Sequence, residues 1–419
     1  MARRARALAA NFTLMRWMRL DAGAVLAESS GFRANPCPEE NSLSKIAAVK
    51  AYPIVAKLKN VQWTAQESRA EVELLLVEVV TDDGIKGYGQ VTSTPMPDIK
   101  KWVERFGEEV IGMDALARVA VWEKLLSLTS PRPNLGGLSR GARPQIMGAI
   151  GGIDMALWDI AGKKANLPIF RLLGAENKPV FTYATGGYYV KGTKITSCAD
   201  ELAGFVKNGF KAVKLKVGGA TMAEEVERVK ATRAAIGPDI KLKLDLNAAY
   251  DLPACYEFAK AVAPYDIFWL EEPLHWYLQP VDFGKLAAAT SIPLAHGERE
   301  MTRFTARDYM TLGGVRYMMF DATRYAGFTE SLRVAHMADQ AGVMITPHHS
   351  PELHCHLVAA FPRTGYAVES HGSHDRDPIW QGMYLDRAEV KDSYVYMNEK
   401  PGWGIELDWK FINSHLAGY

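Results

Sequence analysis

Seven ionisable residues recur at near-even intervals along the second half of this 419-residue chain: Lys216, Asp245, Glu271, Glu298, Asp321, His348 and Glu369. Successive intervals are 29, 26, 27, 23, 27 and 21 residues, about one strand, loop and helix of an α/β barrel each. Each residue closes an apolar, strand-like run, as in Lys-Leu-Lys-Leu-Asp245, Ile-Phe-Trp-Leu-Glu271 and Tyr-Met-Met-Phe-Asp321. Polar groups at successive strand C-termini converge on one mouth of a barrel, where such folds carry their chemistry.

Asp245, Glu271 and Glu298 end three consecutive strands. With no cation among them, three converging carboxylates could not all ionise in a dry cleft. A hard divalent ion, Mg²⁺ above all, resolves this with oxygen ligation and leaves positions for water and an anionic substrate. Separate salt bridges on a barrel rim are the bland alternative. Lys214 and Lys216 lie two apart on one strand and share a face. Val213, Leu215 and Val217 form the other face, which belongs against the surrounding helices, so the lysines point inward. Each ammonium is expected to depress the other's pKa, and the metal adds to this. Lys216, nearer the strand end, is then the general base.

Asp321 and His348 end neighbouring strands. An Asp on one ring nitrogen fixes the imidazole tautomer and leaves the other nitrogen for substrate. His349, next door, is expected to point away, and is the alternative histidine of the dyad. Glu369 has two readings. With no strand-end cation near it, it is a protonated acid that donates to an anionic intermediate, or else it forms a rim salt bridge with Arg363. Asn247, Arg299, Arg324 and His349 are the candidate substrate-binding groups, with Glu300 and His275 as further polar neighbours. His348, His349, His354 and His356 superficially suggest zinc, but His354 and His356 sit two apart on a helix and face different directions.

The elements that must position these groups follow from periodicity. Strand-like runs at 44–60, 71–80 and 86–90, with a turn at Asp82-Asp83-Gly84, precede helical patterns at 97–128 and 142–165. A meander followed by helices reads as a small α+β domain. The segment Gly151-Gly-Ile-Asp-Met-Ala-Leu-Trp-Asp159 is a buried helix that ends at Asn166-Leu-Pro168. Eight strands follow at 180–185, 212–216, 241–245, 267–271, 292–295, 317–321, 343–346 and 366–369. Amphipathic helices such as 222–236 and 328–341 lie between them, and strand eight lacks a clear following helix. The expected division is an N-terminal arm (1–43), an α+β domain (44–165), a barrel (166–383) and a strand-and-loop tail (384–419) that returns to the α+β domain.

Composition excludes several classes. The chain is 48% hydrophobic and 23% charged with a formal net charge of +1, so it offers no field for nucleic acid or an anionic membrane. Cys37, Cys198, Cys255 and Cys355 show no CxxC spacing, which suits a reducing, cytoplasmic setting. No apolar run approaches a membrane span. The apolar stretch after Met1-Ala-Arg-Arg-Ala-Arg is broken by Asn11, Thr13, Arg16 and Arg19, so an amphipathic arm, an overlong start or an oligomer contact fits better than a secretory signal.

The ordered set Lys214-x-Lys216, Asp245-x-Asn247, Glu271-Glu272-Pro273, Gly297-Glu298, Asp321, His348 and Glu369 resembles the mandelate racemase subgroup of the enolase superfamily, from about residue 44 to the C-terminus. The resemblance implies α/β architecture: a modified TIM barrel, (β/α)7β, under an N-terminal α+β capping domain. It implies Mg²⁺ on Asp245, Glu271 and Glu298, with Lys216 and the His348–Asp321 dyad as acid/base groups on opposite faces of a small carboxylate substrate. Glu369 would hydrogen-bond the substrate carboxylate. It also implies a homo-oligomer, from dimer to octamer. The chemistry is abstraction of the proton α to a carboxylate, a Lys or His base working with Mg²⁺ as is known for this superfamily. Reprotonation then gives racemisation or epimerisation of a 2-hydroxy acid, and loss of a β-hydroxyl gives dehydration.

The segments 57–68 and 93–98 are polar, which favours dehydration of an aldonate or aldarate. His349-Ser-Pro351 departs from the racemase pattern. Among rivals, a zinc-dependent barrel hydrolase wants His-x-His after strand one, where Ala184-Thr-Gly-Gly-Tyr188 stands instead. A Schiff-base aldolase leaves three carboxylates without purpose. A non-catalytic sugar-acid binding protein is the alternative of another class.

Overall fold

Three antiparallel strands open the chain in a computed structural model that describes residues 44–130, 140–371 and 376–419. The expected arm at 1–43 lies outside these residues. The strands β1 (Ile46–Trp63), β2 (Ser68–Thr81) and β3 (Lys86–Val91) lie in the order β3-β2-β1. Leu75, Val77 and Val79 of β2 pack on helices, whereas Leu74 and Leu76 pack on the C-terminal tail. Both faces of β2 are therefore buried, which is why its sequence is almost continuously apolar.

Helices α1 (Met96–Val110), α2 (Arg118–Ser127) and α3 (Arg143–Ala165) cover that sheet. α3 is buried from Ile146 to Gly162 and lies directly on β3. A Cβ on Gly89 would fall 2.0 Å from the carbonyl oxygen of Gly152, and one on Gly87 would fall 2.1 Å from that of Ala156. Only glycines permit this approach. The two acids of α3 are its anchors. Asp154 accepts from the backbone N–H of Thr329 at 2.8 Å, and Asp159 accepts from the backbone N–H groups of Tyr88 and Trp403, both at 3.0 Å.

The barrel strands are β4 (Val180–Gly186), β5 (Ala212–Lys216), β6 (Lys241–Asp245), β7 (Ile267–Glu271), β8 (Leu294–His296), β9 (Val315–Met318), β10 (Met344–Ile345) and β11 (Val368–Ser370). From β4 to β10, each pairs in parallel with the next. β11 pairs in parallel with β4, and Gly365, just before it, bridges Ile345 of β10. The row thus returns on itself. β9 and β10 stop three residues short of Asp321 and His348, earlier than periodicity suggests. The rim still holds these residues through single backbone bonds, such as His348 N–H to Phe320 C=O at 3.2 Å.

Helices α4 (Met222–Ile236) and α5 (Gly327–Ala341) lie outside the strands, and α6 (Pro351–Ala359) follows β10. α4 is not the amphipathic helix expected, since its buried side carries Glu225, Arg228 and Thr232 beside Val229 and Ile236. Thr221 and Glu224 form a capping box that starts α4. After β11 the next described helix is only Pro378–Gly382. The tail is more than strand and loop. Its hairpin β12 (Glu389–Lys391) and β13 (Tyr394–Tyr396) joins the barrel by pairing with β4. It then ends in α7 (Trp409–Ser414), whose Ile412 packs with Ile54 and Leu74.

Candidate active site

Asp245 and Glu271 are wholly buried at the ends of β6 and β7, and Glu298 is buried two residues past β8. One carboxylate oxygen from each lies within 4.8 Å of the others. Asn247, in the left-handed region at φ 43°, donates its backbone N–H to Asp245 Oδ1 at 3.0 Å and fixes that carboxylate.

Contrary to the sequence reading, cations do stand among the three acids. Lys214 Nζ lies 2.5 Å from Glu271 Oε1 and 3.6 Å from Asp245 Oδ2, Lys216 pairs with Asp245, and Arg324 Nη1 lies 2.8 Å from Glu298 Oε1. These cations do not neutralise the group evenly. Burial first, then the charge of Asp245, pushes the Glu271 carboxyl well above its usual range. Oε2 of Glu298 is buried without a hydrogen-bond partner; His348 Nε2 is 3.3 Å away but poorly aligned. An all-carboxylate donor set with an orphaned oxygen fits a hard divalent cation such as Mg²⁺.

Without the metal's charge, which the expectation included, both lysine pKa values rise rather than fall. Burial pulls both down, yet the carboxylates outweigh it. Glu271 and Glu369 hold Lys214 well above the ordinary lysine value, and Asp245 raises Lys216. Repulsion between the two ammonium groups is the smaller effect because each has its own carboxylate.

Glu369 is likewise not a neutral acid in this arrangement. Its Oε1 lies 2.8 Å from Lys214 Nζ and accepts from the Thr185 hydroxyl at 2.6 Å. Burial alone would raise its pKa, but Lys214, then His348 and His371, hold it well below the carboxylate range. The absence of a nearby cation, expected from strand-end spacing, fails because Lys214 reaches across the barrel interior. The rim bridge to Arg363 fails too, since Arg363 pairs with Asp339 at 3.1 Å.

His348 Nδ1 lies 2.8 Å from Asp321 Oδ2. Asp321 is buried, which raises its pKa, but His348 lowers it more, to about 2. His349 does not point away. It and Ser350 adopt left-handed φ values of 53° and 45°, which breaks strand alternation and turns the His349 ring toward the same pocket. His354 and His356 have other work. His354 accepts from Ala322 N–H at 3.1 Å, and His356 accepts from Phe170 N–H at 3.2 Å.

A cavity of about 110 Å³ opens over these groups, lined by Lys216, Asn247, Glu298, Arg299, Arg324 and His348. His275 and Glu300 do not line it; Glu300 pairs with His296 instead. Of the two segments expected to shape it, 57–68 contributes Gln62, Trp63 and Glu67, but 93–98 contributes nothing. Ser93 is used structurally, donating to the Arg324 carbonyl at 2.5 Å. The tip of β1 is clamped to the rim, where Trp63 pairs with Tyr189 and their rings stack at 5.8 Å. Sequence reasoning missed Tyr188, His371, Arg376 and Asp377, which also line the cavity. His371 was findable, since it lies two residues past Glu369 and so on the same face.

Residues 49–174 match the mandelate racemase/muconate lactonizing enzyme N-terminal domain, and residues 197–411 match the enolase C-terminal domain-like family. The chain is 28% identical over 343 residues to an arabinonate dehydratase of Saccharolobus solfataricus, covering 80% of this chain and 88% of the relative. It is 29% identical over 380 residues to a D-galactarolactone cycloisomerase of Agrobacterium fabrum, covering 87% and 97%. Among solved structures it resembles L-talarate dehydratase from Polaromonas sp. JS666 complexed with Mg and L-glucarate, at a TM-score of 0.75 and 28% identity, covering 89% of this chain and 98% of that one. This chain therefore belongs to the mandelate racemase/muconate lactonizing enzyme family of the enolase superfamily.

Proposed function

We propose that this protein removes the proton α to the carboxylate of a sugar acid and dehydrates an aldonate or aldarate to a 2-keto-3-deoxy acid. One observation carries the reading: a buried triad of carboxylates reaches, through Glu298, the same cavity that Lys216 and the His348 of the His–Asp dyad line. Asp245, Glu271 and Glu298 would hold Mg²⁺, which when bound supplies positive charge where the substrate carboxylate gains negative charge. Lys216 and His348 are the acid/base pair, and Asp321 holds the imidazole tautomer. Lys214 keeps Glu369 ionised and Glu271 in place, and Glu369 orients the substrate. Asn247, Arg299, Arg324 and His349 border the substrate. His348, once protonated, is the group that returns a proton to the departing hydroxyl.

The domain limits 44–165, 166–383 and 384–419, a homo-oligomeric state and a cytoplasmic setting belong to the same proposal. Polar groups of segment 57–68 around the cavity support a hydroxylated substrate. A second reading, racemisation or epimerisation of a 2-hydroxy acid, shares the first step. The test is a panel of aldonates and aldarates incubated with Mg²⁺ in D₂O. Dehydration gives a 2-keto product, racemisation gives solvent deuterium without it, and a binding protein gives neither. Full activity after EDTA, or in both Lys216→Ala and His348→Ala, sinks the enolisation reading.

A further inference from the structure

Beside the carboxylate triad, three more metal-ligating side chains converge: His349, His371 and Asp377. One donor atom from each lies within 4.8 Å of the others. His349 Nε2 is 3.3 Å from Asp377 Oδ2, and His371 Nδ1 is 2.7 Å from Asp377 Oδ1. The two imidazole centroids are 4.4 Å apart, and the Trp380 indole stands edge-on to His349 at 4.5 Å. His349 and Asp377 are 5% and 7% exposed. All three residues line the cavity that also holds Lys216 and His348.

Hydrogen bonding alone leaves this cluster poorly matched. If both neutral imidazoles donate to Asp377, Nε2 of His371 becomes a bare lone pair. The group it then faces, at 4.0 Å, is the carboxylate of Glu369. A second proton on His371 would cure the mismatch, but only by placing an imidazolium in contact with the His349 ring. A metal ion on the Asp377 side removes the conflict without it. Ligation of His371 through Nδ1 puts its proton on Nε2, toward Glu369. Ligation of His349 through Nε2 puts its proton on Nδ1, 3.3 Å from the Ser350 hydroxyl oxygen. Oxygen partners on the far nitrogens are what orient metal-bound imidazoles.

The geometry points to a second metal site, formed by His349 Nε2, His371 Nδ1 and the Asp377 carboxylate, that takes a borderline divalent cation of the Zn²⁺ class. Two nitrogens and one oxygen suit zinc, where three carboxylates suit magnesium. Three protein ligands leave a coordination position open toward the cavity, within reach of an oxygen of whatever is bound there. The site is independent of the proposed reaction, because its occupancy is read without substrate.

The test uses the full chain free of any affinity tag, stripped with EDTA and returned to excess Mg²⁺ so that the carboxylate triad is filled. Zn²⁺ is then titrated by calorimetry, and Co²⁺ by its visible d–d absorption. The expected result is one equivalent of zinc and the strong cobalt bands of a four- or five-coordinate site, both lost in His371→Gln and in Asp377→Asn and both retained in Glu271→Gln. Magnesium binding by the two cluster variants reports that they are folded. If wild type takes up no zinc under excess magnesium, or if both cluster variants bind it as wild type does, the three residues are a hydrogen-bonded network and the metal site is wrong.

Discussion

Nδ1 of His348 lies 2.8 Å from Oδ2 of Asp321, and Thr323 holds the other oxygen of Asp321 with its backbone N–H and its hydroxyl, both at 2.8 Å. Asp321 is therefore pinned, and the imidazole it orients keeps one tautomer. In Asp321→Asn the amide can offer either an acceptor or a donor, so the tautomer is no longer fixed. Exchange of the substrate α-proton with solvent should fall by about 10² to 10⁴-fold, while Mg²⁺ binding stays unchanged. Wild-type exchange in Asp321→Asn would show that the dyad plays no part.

Lys214 is the cation shared by Glu271 and Glu369, at 2.5 and 2.8 Å. Lys214→Met keeps most of the volume but leaves two buried carboxylates short of a partner. Breaking buried pairs in this way costs about 3–5 kcal/mol. Denaturant unfolding of the metal-free protein should show that loss, and saturating Mg²⁺ should restore part of it by neutralising the same acids. Equal stability of Lys214→Met and wild type without metal would mean that Lys214 does not hold Glu369 ionised in the fold.

The barrel and its chemistry were legible because strand length and strand-end chemistry coincide in one sequence run. β5, β6 and β7 match the periodicity residue for residue, and each ends on its candidate group. Failures occur where distance in sequence hides contact in space. Lys214 reaches Glu369 across 155 positions of sequence, so neither pKa direction could be read from strand spacing. His349 turns into the pocket because its backbone is left-handed, a choice no local pattern announces for histidine. Asp377 lies well past the last strand, where neither helical nor strand periodicity gives a face. α7 was missed because Trp409–Ser414 is only 6 residues long and takes its stability from packing on β1 and β2 rather than from its own pattern.

Gly89 tests how α3 is seated. A Cβ there would sit 2.0 Å from the Gly152 carbonyl oxygen and 3.0 Å from the Ala156 nitrogen. The obstruction is backbone, which cannot rotate aside, so Gly89→Ala must push α3 off β3 and strain the Asp159 bonds to Tyr88 and Trp403. A cost of at least about 3 kcal/mol follows, measured as a fall in urea midpoint. By contrast, Gly84→Ala meets no atom within 4 Å, and only its φ of 84° opposes it, so it should cost about 1 kcal/mol. Similar losses at the two glycines would refute close packing as the cause.

His356 sets an acid limit on stability away from the site. It is wholly enclosed, with Nδ1 accepting from Phe170 N–H at 3.2 Å and Nε2 facing the Trp403 carbonyl at 3.1 Å. Burial drives its pKa down from 6.5 to about 4, with the Trp403 carbonyl opposing weakly. The folded state therefore keeps the ring neutral while the unfolded chain takes up a proton below pH 6.5. Stability is full above that pH, falls as pH drops from 6.5 toward 4, and levels off beneath. The span corresponds to about 3 kcal/mol. His356→Gln can accept from Phe170 and donate to Trp403 without titrating. Urea unfolding at pH 7.0 and pH 4.5 (both values chosen to bracket roughly this window) should show a smaller acid loss in the variant than in wild type. Parallel acid losses in the two proteins would assign the acid sensitivity to other groups.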